Sequence, residues 1–154
     1  MVKAESLLER LMKLKKELFF SLIVLLIVFF DQLIKYFILK NNPQINLKIL
    51  EITLIKNTGA GFGILQNQTL LLGIISLLVA LLIIIYYKKI PKDTFPQILF
   101  ALFLGGVLGN MIDRLFRGYV IDFINFGFWP AFNLADSVLT VSAIGLVVYY
   151  WRKD

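Results

Sequence analysis

Four apolar stretches constrain what this chain can fold into. They are Leu18 to Leu39, Leu70 to Tyr87, Phe95 to Ile112 and Phe132 to Trp151. Each has roughly 18–22 residues, and at about 1.5 Å of rise per residue a helix of that length reaches about 30 Å, the thickness of a bilayer's hydrocarbon core. The chain is 59% hydrophobic and only 17% charged, which is typical of membrane proteins. The predicted fold is an all-α membrane protein with four transmembrane helices.

Basic residues at the ends of these stretches indicate the orientation. Ten of the sixteen Lys and Arg residues lie in short flanks, namely Lys3, Arg10, Lys13, Lys15, Lys16, Lys88, Lys89, Lys92, Arg152 and Lys153. The positive-inside rule assigns these flanks, and both termini, to the cytoplasm. The connections 41–69 and 113–131 then face outward. Because the net charge of +6 is explained by orientation signals, we expect no nucleic-acid partner.

The first 17 residues form an arm before the first span. Its leucines recur at helical spacing, which predicts an amphipathic helix lying on the inner leaflet. These leucines are Leu7, Leu8, Leu11 and Leu14, followed by Leu18. A cleavable targeting peptide is disfavoured, because the following apolar run contains Asp31 and Lys35 and ends in no A-x-A-like site. A fusion remnant is the lesser alternative.

The outer connection 41–69 has a strand-like pattern. Apolar and polar residues alternate from Ile45 to Leu54, with one slip in phase at Ile49–Leu50 that predicts a bulge or bend. The segment NTGAGFG follows, in which the three glycines Gly59, Gly61 and Gly63 allow a tight turn or a close backbone approach to a ligand. The sequence therefore predicts a small β-rich unit outside the membrane. With 154 residues, the chain is expected to form a single membrane-embedded domain over 1–154.

The chain contains neither cysteine nor histidine. This excludes thiol nucleophiles, disulfides, imidazole bases and the His-containing zinc motifs. Hydrolytic chemistry would depend on carboxylates, hydroxyls, amides, Lys or Arg.

Asp122 and Asp136 are the candidate catalytic residues. Asp122 lies in the second outer connection, and Asp136 lies about one turn into the last helix. Because the third and fourth helices form an antiparallel pair, both carboxyls can meet at the outer membrane boundary. Two carboxyls in a partly desolvated site share a proton. The ionised member can then take a proton from water while the protonated member polarises a peptide carbonyl, which is acid–base hydrolysis without a covalent intermediate.

These residues also have purely structural interpretations. Asp136 follows Asn133 by three positions, as in a helix N-terminal cap. Asp122 could be a solvated loop residue, although its neighbours are apolar and aromatic. Asn57 could merely begin the glycine turn.

Five further polar residues lie in or beside the apolar stretches. Asp31 and Lys35 have i,i+4 spacing, which favours a neutralising pair. Asp113 and Arg114 could form an ion pair at the end of the third helix, and Arg114 could instead hold a substrate carbonyl. Asn110 shares the helix face of both.

In four segments the chain resembles the bacterial lipoprotein signal peptidases (signal peptidase II). These are DQLIKYFI at 31–38, NTGAGFGIL at 57–65, GNMIDRLFRGYVIDFI at 109–124 and FNLADSVLT at 132–140. The resemblance implies an aspartyl endopeptidase of the bacterial cytoplasmic (inner) membrane, with four transmembrane helices, a small extracytoplasmic β-cradle and an active site on that outer face. It implies removal of signal peptides from lipid-modified prolipoproteins, with cleavage before the diacylglyceryl-cysteine.

The resemblance also implies roles for individual residues. Asp122 and Asp136 would be the catalytic dyad. Substrate or the dyad would be oriented by Asn57, Asn110, Arg114 and Asn133, whereas the fold would be supported by Asp31, Lys35, Asp113, Gly59 and Gly61. The expected partners are the prolipoprotein signal peptide, membrane lipids and cyclic peptide inhibitors such as globomycin, with no metal or organic cofactor. We expect a monomer.

The main alternative is a small transporter or channel, with the four acidic residues Asp31, Asp113, Asp122 and Asp136 as an ion path. It is disfavoured because these residues gather toward one membrane face and no inverted repeat is visible. A membrane-embedded phosphotransferase would need more acidic metal ligands. A purely structural role would leave the polar segments unexplained.

Overall fold

The computed structural model of the chain describes residues 2–153. Within that range the chain forms four α-helices and a three-stranded sheet. The helices are α1 (Val2–Asn41), α2 (Thr69–Ile85), α3 (Thr94–Ile112) and α4 (Leu134–Trp151), and the strands are β1 (Gln44–Asn46), β2 (Glu51–Asn57) and β3 (Val120–Asn125). Short 3-10 turns occupy Gly61–Gly63 and Tyr87–Lys89, and a π-helical turn occupies Asp113–Arg117.

Three helical segments of the described chain are long and apolar enough to cross a membrane: Leu7–Asn41, Thr94–Arg117 and Leu134–Trp151. Helix α2 is apolar but shorter, with 17 residues. Large apolar side chains point outward from the bundle, among them Leu70, Leu78 and Val147, as expected of surfaces that face lipid acyl chains. The protein is therefore a multi-pass membrane protein.

Helix α3 lies at the centre of the bundle and packs against the other three helices. A side chain at Gly109 would collide with both neighbours: its Cβ would lie 2.7 Å from an oxygen of Asp31 on α1 and 3.2 Å from the Cβ of Ala135 on α4. The close approach of three helices at this glycine brings polar residues of α1, α3 and α4 together.

The sheet is antiparallel, in the order β1-β2-β3. The phase slip at Ile49–Leu50 marks the turn between β1 and β2, which is closed by a hydrogen bond of 2.8 Å from Leu47 N to Leu50 O. Strand β3 comes from the second outer connection, where the sequence pattern did not predict one. It pairs with β2 so that Ile55 lies opposite Asp122, with a bulge between Ile52 and Ile55.

Two segments differ from the predicted boundaries. The α3 helix does not end at Ile112 but continues as the π-helical turn to Arg117, and Gly118 with φ 75° follows it. The connection predicted to begin at 113 therefore begins after Arg117. The described part of the arm is helical and continuous with the first span, because α1 runs through 40 residues without interruption. Its position on the inner leaflet stays a prediction.

Candidate active site

Asp122 and Asp136 lie in one hydrogen-bonded network, which we call the dyad cluster together with Asn57, Asn110 and Asn133. Asp122 is in the middle of β3 and is 1% exposed. Its two carboxylate oxygens accept hydrogen bonds from Asn57 Nδ2 at 2.9 Å and from Asn133 Nδ2 at 2.8 Å. The interpretation of Asp122 as a solvated loop residue is therefore wrong.

Asp136 forms the predicted cap of α4. Asn133 is the N-cap, and its side-chain oxygen accepts from Asp136 N at 2.9 Å, while Asp136 Oδ2 accepts from Asn133 N at 3.2 Å. The other carboxylate oxygen, Oδ1, accepts from Asn110 Nδ2 at 2.7 Å. One carboxylate oxygen of Asp136 makes the capping interaction, and the other is hydrogen-bonded within the dyad cluster. The interpretation of Asp136 as a helix cap and its interpretation as a catalytic residue are therefore compatible.

Two asparagines connect the carboxyl groups. Asn133 Nδ2 donates to Asp122 and also lies 3.1 Å from Asn110 Oδ1, and Asn110 in turn donates to Asp136. The oxygen of Asn110 also accepts from Lys35 Nζ at 3.0 Å. With two donors at its oxygen, the Asn110 amide is oriented so that its NH₂ group faces Asp136.

The environment of Asp122 disfavours its ionised form. Burial raises the pKa of this carboxyl, the nearby Asp136 carboxylate raises it further, and the hydrogen bonds from Asn57 and Asn133 oppose the rise, which leaves a pKa of about 7. Within residues 2–153, neither carboxyl of the dyad forms a salt bridge. A proton can therefore remain on Asp122 at neutral pH.

A second network, the ion-pair cluster, consists of Asp31, Lys35, Asp113 and Arg117. Lys35 Nζ lies 2.8 Å from Asp31 and 3.0 Å from Asp113, and all three side chains are fully buried. The predicted Asp31–Lys35 pair is confirmed. The predicted Asp113–Arg114 pair is wrong, because Asp113 pairs with Lys35 and Arg117. Arg117 follows Asp113 by four positions, a spacing that could have indicated this pair.

The ion-pair cluster also fixes the backbone around the dyad. Asp31 Oδ1 accepts from Ala135 N at 3.0 Å, and Asp113 Oδ2 accepts from Ile121 N at 3.1 Å. Ala135 precedes Asp136 and Ile121 precedes Asp122. Each supporting aspartate therefore holds the residue next to one member of the dyad. Gln32, which the sequence did not single out, adds side-chain hydrogen bonds to Asp31 at 3.1 Å and Asp113 at 3.2 Å.

Arg114 lies beside the dyad cluster. One guanidinium nitrogen, Nη2, is 3.5 Å from the carbonyl oxygen of Gly59, and Nε is buried without a hydrogen-bond partner in the described part of the chain. Asn57 both begins the glycine turn, by accepting from Gly59 N at 2.9 Å, and donates to Asp122. The turn thus links Arg114 and Asn57 on one side of the site.

Two adjoining cavities reach the dyad cluster. One, of about 450 Å³, is lined by Arg114, Trp129 and Asp136 and extends along α4 to Val141, which is 61% exposed on the outer surface of the bundle. The other, of about 410 Å³, is lined by Asp122 and by polar residues of 56–66. Asn57, Gly61, Pro130 and Ala131 line both. The site therefore opens along the apolar surface of α4 and also toward the polar glycine segment.

Comparisons with known proteins agree on one family. A family model described as signal peptidase (SPase) II matches residues 23–152. The chain is 40% identical over 139 residues to a lipoprotein signal peptidase of Moorella thermoacetica, covering 86% of this chain and 91% of that protein. It is 34% identical over 138 residues to one of Halothermothrix orenii, covering 86% and 95%.

Two solved structures share the fold of this chain. One bacterial membrane enzyme, determined by the in meso method at 2.3 Å resolution, superposes with a TM-score of 0.79 at 31% identity over 86% of this chain and 87% of that one. A second, at 1.9 Å resolution, superposes with a TM-score of 0.74 at 33% identity over 85% and 91%.

Proposed function

The chain belongs to the signal peptidase II family and is a peptidase, and from that premise we propose that it is an aspartyl endopeptidase that removes signal peptides from prolipoproteins. The observation that carries this proposal is the dyad cluster: two carboxyls, held only by amide groups and joined through Asn110 and Asn133, adjoin a cavity in a membrane protein. The catalytic residues proposed are Asp122 and Asp136.

In the proposed reaction the dyad begins with one proton, which we assign to Asp122 because its pKa is about 7. Ionised Asp136 takes a proton from a water molecule as the water oxygen attacks the scissile carbonyl carbon. Asp122 donates its hydrogen to the carbonyl oxygen, which forms a neutral gem-diol. Collapse of this intermediate breaks the C–N bond: the proton on Asp136 passes to the leaving amine, and a hydroxyl proton of the intermediate returns to Asp122.

Other polar groups would position the substrate. Arg114 has guanidinium donors at the cavity, and its buried Nε lacks a partner within the described residues, so we propose that it binds a backbone carbonyl of the signal peptide. Asn57, Asn110 and Asn133 orient the two carboxyls. Because these amides donate hydrogen bonds without carrying charge, they fix geometry and leave the dyad able to retain its proton.

We propose that the substrate enters from the bilayer along the α4 surface, where the larger cavity extends to Val141. The diacylglyceryl chains would remain in the membrane and set the cleavage position just before the modified cysteine. This placement supplies the proximity that a slow hydrolysis needs. A cyclic peptide inhibitor such as globomycin would occupy the same cavity.

We propose four spans in the cytoplasmic membrane, with α2 as the second. Its 17 residues reach about 26 Å at about 1.5 Å per residue, slightly less than the hydrocarbon core. The arm, the α2–α3 turn and the end of α4 lie at one end of the bundle, because Lys16 contacts Lys92 O and Tyr149 contacts Asp93. These basic ends support cytoplasmic termini, with the dyad at the opposite, extracytoplasmic face.

A cleavage assay tests this function. Purified protein in detergent is given a synthetic precursor peptide whose cysteine carries a diacylglyceryl group, beside the same peptide with an unmodified cysteine. We expect mass spectrometry to show one cut, directly before the modified cysteine, that is unaffected by EDTA. Cleavage of both peptides alike, or loss of activity on chelation with recovery on zinc addition, would contradict the proposal. Ion flux in liposomes without cleavage would favour a transporter.

A further inference from the structure

A cavity at the opposite end of the bundle from the dyad cluster has no part in the proposed peptidase chemistry. It has a volume of about 480 Å³ and lies between the arm and the α2–α3 turn. Its charged lining residues are Lys13, Lys16, Lys88 and Lys92 together with Glu9 and Glu17. Four lysines against two glutamates leave the cavity, which we call the lysine cavity, with an excess of positive charge.

Two of the lysines are held in place by the backbone of the turn. Lys16 Nζ donates to Lys92 O at 3.1 Å, and Lys92 Nζ donates to Tyr87 O at 3.3 Å and lies 4.4 Å from the centre of the Tyr87 ring. An ammonium group has three N–H donors, so one bond to a carbonyl leaves others for an anion. The opposing pair of Lys13 and Glu17 is long, at 4.0 Å, and solvent-exposed, so it neutralises little.

An apolar groove adjoins the lysine cavity. It has a volume of about 410 Å³ and shares Glu17 and Tyr87 with the lysine cavity. Its apolar lining residues come from three helices: Phe20, Val24 and Leu25 from α1, Ile84 from α2, and Leu104 and Leu108 from α3. The rings of Phe20 and Tyr87 meet edge to face, with centroids 4.8 Å apart, at the junction. A polar chamber at the end of the bundle thus continues into an apolar groove on its membrane-facing surface.

We propose that the lysine cavity and the apolar groove together bind one anionic phospholipid, with its phosphate among the lysines and an acyl chain in the groove. Lysine clusters at the cytoplasmic ends of membrane helices attract anionic headgroups. A soluble phosphate would leave the groove uncovered, and a neutral lipid would not match the excess charge. Lys13 and Lys16 precede residue 23, where the match to the family model begins, so this site uses a segment outside that match.

Native mass spectrometry of the full chain released from detergent tests this site. Phosphatidylglycerol, phosphatidylcholine with the same acyl chains, and glycerol 3-phosphate are added separately, and retained ligand is counted. We expect retention of phosphatidylglycerol alone. The double variant Lys16→Gln/Lys92→Gln should weaken its binding roughly tenfold or more. The matched control Lys48→Gln/Lys56→Gln, which removes the same charge from β2 and the turn before it, should bind as the unaltered protein does.

Each other outcome overturns the proposal. Equal retention of the two lipids would show that the headgroup charge is not recognised, and equal retention of glycerol 3-phosphate would show a soluble-anion site. Undiminished binding in the lysine variant would place the lipid elsewhere. If that variant fails to fold, Lys13→Gln/Lys88→Gln makes the same test without removing a hydrogen bond to the turn. Leu25→Trp narrows the apolar groove. It should reduce phosphatidylglycerol retention both in the otherwise unaltered protein and in the lysine variant.

Discussion

The ion-pair cluster and the dyad cluster are adjacent, but their carboxylates have different partners. Asp31 and Asp113 are neutralised by Lys35 and Arg117 within ion-pair distance. The carboxyls of the dyad receive their side-chain hydrogen bonds from asparagines, and among residues 2–153 they have no salt-bridge partner. Lys35 connects the two networks, since it also donates to Asn110 of the dyad cluster.

The difference indicates what each network contributes. A carboxylate paired with a buried cation is costly to separate from that cation, so such a group supports the fold. A buried carboxyl that has only neutral donors is left with an unfavourable charge, which raises the pKa of Asp122 to about 7. Such a group can exchange a proton near neutral pH. We therefore assign stability to the ion-pair cluster and catalysis to the dyad cluster.

The largest expected effect is on activity and comes from the dyad. Asp122→Asn and Asp136→Asn should each lower the cleavage rate by at least about 10³-fold, because each removes a proton-transfer group. Asp113→Asn, in the ion-pair cluster, should lower activity per folded molecule much less, because the asparagine oxygen can still accept from Ile121 N. The rate is measured on purified protein with the lipid-modified precursor peptide. Substantial cleavage by either dyad variant would refute the assignment.

The pH dependence of stability distinguishes a dyad variant that has lost catalysis from one that has lost its fold. Because the pKa of Asp122 is raised to about 7 from an ordinary 3.8, the folded protein holds this proton more tightly than the unfolded chain does. The contribution of that proton to stability is complete below the ordinary pKa and is lost as pH rises through 7. Above pH 7, Asp122→Asn should therefore be at least as stable as the unaltered protein.

The ion-pair cluster should show the next largest effect, in the free energy of unfolding. Lys35→Met leaves Asp31 without a cation and should cost about 3–5 kcal/mol, measured by denaturation in mixed micelles. The double variant Asp31→Asn/Lys35→Met should cost less than the sum of the two single changes, since it removes both charges. A single Lys35→Met change that leaves stability unaltered would show that the cluster is not the support we infer.

The turn after β2, which contains Gly59 and Gly61, should show a smaller effect on stability and activity. A Cβ at Gly59 would lie 2.8 Å from Ile64 O, whereas one at Gly61 would meet nothing within 4 Å. Gly59→Ala should destabilise the protein by about 1–3 kcal/mol and lower activity by moving the carbonyl that Arg114 contacts. Gly61→Ala is the matched control for stability and should leave the free energy of unfolding unchanged. Equal effects of the two changes would contradict this account of the turn.

The smallest expected effect is a shift in pH dependence. The cleavage rate should fall as pH rises past about 7, where Asp122 loses its proton. Asn57→Ala removes a hydrogen bond that lowers this pKa, so the alkaline limb should move upward, by up to about one pH unit. Lys48→Gln, in the turn between β1 and β2, should leave the profile unchanged. A downward shift in Asn57→Ala would contradict the assignment of the proton to Asp122.

Local features were predictable from the sequence. The apolar stretches placed the helix ends within two residues at most positions outside the arm, because span length is set by bilayer thickness. The Asp31–Lys35 pair and the cap formed by Asn133 and Asp136 follow from spacings within one helix.

Features that depend on distant partners were not predictable in this way. Strand β3 pairs with β2, which lies more than sixty residues away, and its apolar run has no helical or alternating period that would identify it. Asp113 forms a salt bridge with Lys35 only because α1 and α3 pack closely. The continuation of α3 as a π-helical turn to Arg117 likewise has no signal in the local pattern.

Asp122 keeps a proton near neutral pH because it is buried beside the Asp136 carboxyl and has no salt-bridge partner within residues 2–153. The most direct test is a pH titration of the protein with ¹³C-labelled aspartate, followed by carboxyl resonances in detergent, beside Asp122→Asn. We expect one carboxyl resonance that titrates near pH 7 and is absent from the variant. If no aspartate titrates near 7, or if that resonance persists in Asp122→Asn, the contrast between the two clusters does not hold.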